Sequence, residues 1–191
     1  MIRTFIAIDL PEETRQGLAQ IQSHFKQTNT GVRWVHPASI HLTLKFLGNI
    51  DPVQVEPIVA AAGREVHNEP CLSLCADGLG VFPHERKPRI IWVGLRGETE
   101  RLGRIQARIE DALVPLGFAR EQRPFHPHLT LGRLKDSRRR QALINAMATA
   151  KLPEFNPFDV VEIILYKSDL TPTGAIYTKL HRMPLGTAAS P

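Results

Sequence analysis

Short apolar runs and helical stripes alternate along this chain, and the alternation occurs twice. Ile2 to Ile8 (I-R-T-F-I-A-I) reads as an apolar strand, and Leu18, Ile21 and Phe25 then recur at helical spacing. Arg89 to Leu95 (R-I-I-W-V-G-L) reads as a second such strand, followed by Leu102, Ile105, Ile109 and Leu113 at the same spacing. After each strand and stripe comes the tetrapeptide H-L-T-L, at His41 to Leu44 and again at His128 to Leu131, an offset of 87 residues. The same offset carries Ile2–Ile8 onto Arg89–Leu95 and Pro37 onto Pro124.

A further helix follows each motif. Asp51-Pro52 has the form of an N-cap with proline at the first helical position, and Val55, Ile58, Val59 and Ala62 share one face beyond it. Ser137 is the candidate cap of the matching helix, which carries Leu143, Ile144 and Met147. Strands then resume at Cys71 to Leu79 in the first half, and at Asp159 to Asp169 and Ile176 to Arg182 in the second. The expected fold is α+β: two pseudo-symmetric lobes with mainly antiparallel sheets flanked by helices, and a groove between them. The expected organisation is one bilobal domain over 1–182, with repeats of approximately 2–80 and 89–182, a proline- and charge-rich loop at 82–89, and a flexible tail at 183–191.

Composition narrows the class. A chain of 191 residues, 42% hydrophobic and 23% charged, is ordinary for a soluble globular protein. Its formal net charge of +5 favours an anionic partner without identifying one. The first apolar run is too short for a signal peptide and is followed at once by Asp9, Glu12 and Glu13, and no run reaches membrane-spanning length. Cys71 and Cys75 on one strand would stand roughly 13 Å apart, too far to bridge. A cytoplasmic location, no membrane and a monomer are the expectations.

The motifs carry the chemistry. On a strand, residues two apart project together, so His41 pairs with Thr43 and His128 with Thr130, while Leu42, Leu44, Leu129 and Leu131 turn to a core. Two imidazoles with unperturbed pKa of about 6.5 can divide acid and base work at neutral pH, one protonated and one neutral. Two hydroxyls can donate to the non-bridging oxygens of a phosphate. Those are the requirements for opening a cyclic phosphodiester with water, and no metal or other cofactor is needed. Eight His and twelve Thr in this chain give roughly 0.5 His-x-Thr pairs by chance, so one copy is weak evidence and two in register with a repeat are strong.

Other residues carry less. Arg133 lies three residues beyond Thr130, so in a regular strand it would share the face of Leu131 unless the strand bends. Arg138-Arg139-Arg140 reads as a solvated face, although basic residues at a helix start oppose its dipole. Phe5, Trp34, Phe46 and Trp92 are able to stack a nucleobase, and core packing is the expectation for each. His126 and His128 lack the neighbouring Cys, Asp or Glu of a metal site, and His36, His84 and His181 have no assigned role.

With R-T-F-I-A-I-D-L-P at the start, R-W-V-H-P-A-S-I-H-L-T-L-K-F-L-G at the first motif, P-R-I-I-W-V-G-L in the middle, F-H-P-H-L-T-L-G-R at the second motif and S-D-L-T-P-T-G-A-I-Y-T-K-L near the end, the chain resembles the two-histidine phosphoesterases from about Arg3 to Arg182. Within them it is similar to the RNA 2′,3′-cyclic phosphodiesterases, also called 2′–5′ RNA ligase-like proteins. The resemblance implies hydrolysis of RNA 2′,3′-cyclic phosphate ends, or of small nucleotides bearing them, to 2′-phosphomonoesters. It implies His41 as proton donor, His128 as proton acceptor, and Thr43, Thr130 and Arg133 on the phosphate. Two alternatives stay open: 2′–5′ ligation by the reverse reaction, and a non-catalytic module that binds RNA ends.

Overall fold

The computed structural model describes residues 1–186, except 29, 136 and 173. Helix α1 (Glu12–Gln27) starts after Pro11 with Glu12 and Glu13 in its first turn and ends with His24 and Lys26 in its last, charges that match the helix dipole. Its stripe of Leu18, Ile21 and Phe25 is buried. Helix α2 (Val55–Val66) is entered through a turn at Pro52–Gln54, where the Asp51 carboxylate accepts from Val53 N and the Gln54 amide oxygen accepts from Asp51 N. The expected Asp51 cap is thus present, with Pro52 in a tight turn ahead of the α-helix. Helix α3 (Thr99–Leu113) buries Leu102, Ile105, Ile109 and Leu113, and α4 is Arg140–Thr149. The side chain of Ser137, the expected cap of α4, lies outside the described residues.

The strands are β1 (Ile2–Ile8), β2 (Val32–Trp34), β3 (Leu42–Ile50), β4 (Leu72–Phe82), β5 (Ile90–Gly97), β6 (His128–Leu134), β7 (Phe158–Val160), β8 (Glu162–Thr171) and β9 (Gly174–Pro184). They form one antiparallel sheet in the order β7-β4-β5-β6-β3-β1-β8-β9, with β2 on β6. The fold is α+β with two lobes, β3-β1-β8-β9 and β6-β5-β4-β7, joined where β3 meets β6 at the single pair Leu42 and Leu129. Each lobe takes its outer strands from the other half of the chain. β4 leaves the first repeat to pair with β5, and β8 leaves the second to pair with β1.

The helices cover one face of this sheet. Leu42, Leu44, Leu129 and Leu131 are buried there with residues of all four helices in one core. On the other face a small cluster of Phe5, Ala7, Ile164 and Tyr166, with Tyr177 against it, contains no helical residue. That face is left open for chemistry.

Two expectations need revision. The chain does not loosen at residue 183: β9 runs on to Pro184, Met183 and Leu185 are buried in the core, and Leu185 N donates to Val161 O. Apolar side chains at alternate positions keep this segment in the sheet; residues 187–191 lie outside the described ones. The single strand expected at 159–169 is two, β7 and β8, separated at the exposed Val161.

Candidate active site

The Leu42–Leu129 pair sits on the approximate two-fold between the repeats, because its members are 87 residues apart. In the register of that pair His41 stands opposite Thr130, and Thr43 opposite His128. The four polar residues of the two motifs therefore meet on the open face at the junction of the lobes, all of them partly buried.

Each imidazole is held the same way. His41 Nδ1 lies 2.9 Å from Ser39 O, and His128 Nδ1 lies 2.7 Å from His126 O. A carbonyl only accepts, so each Nδ1 carries the proton and each Nε2 is left to take or give one. Both chain segments before the motifs contain proline, Pro37 and Pro127, and in each the carbonyl two residues back meets the ring; before the first motif a tight turn at Pro37–Ser39 places it.

The walls differ. His41 stacks on Phe5 with centroids 4.6 Å apart and meets Tyr177 edge-on at 5.1 Å. Tyr166 stacks on Phe5 at 5.2 Å and lies 6.3 Å from His41, and its hydroxyl donates to Asp9. Asp9 is also paired with Arg15 and with Lys179, the latter at 2.5 Å. His128 meets Phe82 edge-on at 4.8 Å, and Trp92 packs on His126 at 4.9 Å. Phe5 and Trp92 are 87 residues apart, so the repeat supplies one aromatic to each histidine.

Burial lowers the pKa of both histidines below the ordinary value, against the hydrogen bonds to Ser39 O and His126 O, which raise them. At His41 the Asp9 carboxylate favours the charged ring, opposed by Arg15 and by His128. At His128 the further influence is His126, which disfavours charge. Burial pushes the Asp9 carboxyl up, but Lys179 and Arg15 outweigh it and hold the group below its usual value. Burial first, then Asp9, pushes the Tyr166 hydroxyl up, which keeps it a neutral donor.

Two bulges complete the face. On β3, Ile6 pairs with Lys45 and Ala7 with Thr43, leaving Leu44 as an extra residue. On β6, Ile91 pairs with Gly132 and Trp92 with Thr130, leaving Leu131 extra. An extra residue reverses the alternation beyond it. Arg133, paired with Ile90, is thereby returned to the face of His128 and Thr130, and Phe46, paired with Phe5, to the face of His41 and Thr43. The charge of Arg133 is felt at Tyr177, on the wall beside His41.

Each bulge is pinned from below by a buried glutamine. Gln22 Nε2 of α1 donates to Leu131 O at 3.0 Å and to Val35 O at 2.7 Å. Gln106 Nε2 of α3 donates to Leu44 O at 3.2 Å and to Glu110 Oε1 at 3.1 Å, while the other Glu110 oxygen is paired with buried Lys45. Leu131 O also accepts from Val35 N at 2.9 Å; a buried carbonyl left without any donor would cost about 1–3 kcal/mol.

The aromatic expectations divide. Phe5 is buried, but beneath His41 on the open side; Trp92 lies against His126 and His128; Trp34 packs on the helix-covered core near Phe25. Phe46, expected in the core, is 68% exposed, because the bulge at Leu44 turns it outward. Asp9, Phe82, Tyr166 and Tyr177 were not singled out from the sequence, since no short motif marks them. Among the described residues no three His, Cys, Asp or Glu side chains group as metal ligands would, and no helix is long and apolar enough to cross a membrane.

Comparison with known proteins places the sequence and fold. The sequence profile described as LigT like Phosphoesterase matches twice, over residues 8–92 and 93–177. An RNA 2′,3′-cyclic phosphodiesterase of Methanothermobacter thermautotrophicus is 32% identical over 94% of this chain and 96% of its own length. Another so named, from Thermotoga maritima, is 34% identical over 94% of each chain. Among solved structures, a protein of Thermus thermophilus superposes with a TM-score of 0.80 at 26% identity, covering 98% of this chain and all of its own. Apo LigT of E. coli superposes with a TM-score of 0.77 at 29% identity, covering 97% and 98%; LigT has also been solved with 3′-AMP. With both repeats matched by the same profile, this chain belongs to the LigT-like phosphoesterase family.

Proposed function

We propose that this protein hydrolyses RNA 2′,3′-cyclic phosphate ends to 2′-phosphomonoesters, without a metal ion. The observation that carries the reading is the meeting of two imidazoles, each with Nδ1 engaged by a carbonyl and Nε2 thereby left for proton transfer, with two threonines in one register-matched site. The relatives named RNA 2′,3′-cyclic phosphodiesterase support the substrate.

His128 Nε2 takes a proton from water as the water oxygen attacks phosphorus. The bond from phosphorus to the 3′-oxygen breaks on the opposite side, and His41 Nε2 gives that oxygen its proton. The products are a 2′-phosphomonoester and a free 3′-hydroxyl. The hydroxyls of Thr43 and Thr130 and the guanidinium of Arg133 donate to the non-bridging oxygens, where charge accumulates in the transition state. Burial lowers both histidines; among the neighbouring charges, only His41 has a carboxylate, Asp9, that favours its charged form, and Arg15 and His128 oppose it. Phe46, exposed on the same face, offers a ring on which the terminal base stacks.

The test is incubation of the purified protein with an RNA ending in a 2′,3′-cyclic phosphate in excess EDTA, followed by identification of the end groups. A 2′-phosphate is expected. A 3′-phosphate, or activity lost on chelation and restored by added metal, would reject this mechanism.

A further inference from the structure

Arg133 does not stand alone on its face. β2 lies along the end of β6 with Arg33 directly opposite Arg133, and both are exposed. Like charges opposed across two strands repel, and among the described residues neither arginine is in an ion pair. An anion lying between them would remove the repulsion.

Three segments converge at this end of the sheet. Lys135 N donates to Gly31 O, and Leu134 N to Arg89 O. The Arg140 guanidinium donates to Arg86 O at 2.7 Å, tying the start of α4 to the β4–β5 loop. The Arg139 side chain lies along Gly31, whose φ of 69° and lack of a Cβ leave room for it. Residues 31–34, 83–89 and 133–140 together carry nine Lys and Arg against two acids, Glu85 and Asp136. The concentration is local, since the whole chain has 24 against 19.

We infer that this arginine-rich rim is the track along which single-stranded RNA approaches the site, so that the preferred substrate is an RNA chain and not a free cyclic nucleotide. The inference rests on the reading of Arg133 as the residue that holds the reacting phosphate. That phosphate is at the 3′ end of the chain, so the strand leaves the groove on its 5′ side and carries one charge per nucleotide past whatever lies next to Arg133. Arg33 lies next to it, and the basic loop and the start of α4 continue the same charge outward. Guanidinium groups grip phosphate oxygens in pairs, which suits a backbone read without regard to sequence.

The test separates this inference from the catalytic reading by measuring binding without turnover. A fluorescently labelled single-stranded RNA with an ordinary 3′-hydroxyl is titrated with the intact protein and with a folded triple variant, Arg33→Gln, Lys87→Gln, Arg89→Gln, at several salt concentrations. The wild type should bind, and the variant should bind about tenfold or more weakly. The slope of log affinity against log salt should shrink by about 2, at roughly 0.7 for each phosphate that the variant no longer neutralises. The ratio of kcat/KM for a cyclic-phosphate-ended RNA to that for a cyclic mononucleotide should fall by a similar factor. Unchanged RNA affinity and salt slope in the variant, or equal losses on RNA and mononucleotide, would overturn the track. A wild type that binds in the expected way but leaves the cyclic end intact would overturn the proposed activity and leave the track standing.

Discussion

His41 and His128 occupy equivalent places in the two repeats, with the same motif, the same Nδ1 hydrogen bond to a carbonyl two residues back, and a bulge three residues further on. Their surroundings are not equivalent. The first lobe backs its histidine with Phe5, Tyr166, Tyr177 and the Asp9 carboxylate, whereas the second uses Phe82, Trp92 and another histidine. The first bulge delivers Phe46 and the second Arg133. On the proposed mechanism, duplication supplies a symmetric pair of proton carriers, and divergence around them supplies the difference between acid and base, stacking ring and phosphate clamp. Substitutions at matched positions in the two lobes break or sharpen that contrast.

The largest effects fall on the histidines. His41→Ala and His128→Ala should each lower kcat by about two to four orders of magnitude in a folded protein. Near-normal turnover of either variant would break the pairing. Next comes the contrast beyond the bulges. Arg133→Ala removes a charge-assisted hydrogen bond, on the order of 1.5–3 kcal/mol, and should lower kcat/KM by about 10- to 100-fold on any cyclic phosphate. Phe46→Ala removes stacking alone, at the lower end of about 1–3 kcal/mol per base, and should raise KM about fivefold with kcat nearly unchanged. Equal kinetic signatures for the two would deny the division.

The supporting glutamines give a smaller and structural contrast. Gln22→Met leaves Val35 O without its side-chain donor, while Leu131 O keeps the Val35 N–H, and the expected destabilisation is about 1–3 kcal/mol. Gln106→Met leaves Leu44 O without its donor and also strips a hydrogen bond from buried Glu110, so its melting temperature should fall further. The kinetic damage should also divide, with KM on small cyclic phosphates rising in Gln22→Met, through Arg133, more than in Gln106→Met. Thermal unfolding and steady-state kinetics on both variants check this.

The finest contrast is in pH. Both histidines are lowered, chiefly by burial, so a smaller fraction of each is charged at a given pH than in a free histidine. The acid limb of kcat/KM reports neutralisation of the base and the alkaline limb deprotonation of the acid, so both limbs should lie on the acid side of about 6.5. The same sign governs stability: a histidine whose charged form is disfavoured in the fold withdraws stability as pH falls through its folded pKa. A bound dianionic inhibitor would favour the charged rings and should shrink or reverse this loss of stability at low pH. A rate profile flat across this range would show that the histidines do not titrate in the mechanism.

Much of this arrangement was legible in the sequence because it repeats. The offset between the two H-L-T-L motifs located both histidines, both threonines and the strands and helices around them. The alternation of His-x-Thr with Leu-x-Leu told which face each residue would occupy. Arg133 and Phe46 were misplaced by the same alternation, because a bulge is a matter of which carbonyls find donors, and the donors come from Gln22 and Gln106 on distant helices. The signal was present in retrospect: each glutamine interrupts an apolar stripe, between Ile21 and Phe25 and between Ile105 and Ile109. The exchange of strands between lobes was not legible, since β4 and β8 read as apolar strands wherever they pair. Nor were Tyr166 and Tyr177, which reach the site only because β8 and β9 cross to the first lobe.

The central claim is that two histidines in identical motifs do opposite jobs. A substrate with sulfur in place of the 3′-bridging oxygen tests it most directly, because a thiolate leaves with little need of a proton while the attacking water still needs a base. Turnover of that substrate by His41→Ala should be restored to near the wild-type rate, and turnover by His128→Ala should remain low. Restoration of His128→Ala, with His41→Ala still impaired, would contradict the assignment and exchange the roles of the two lobes.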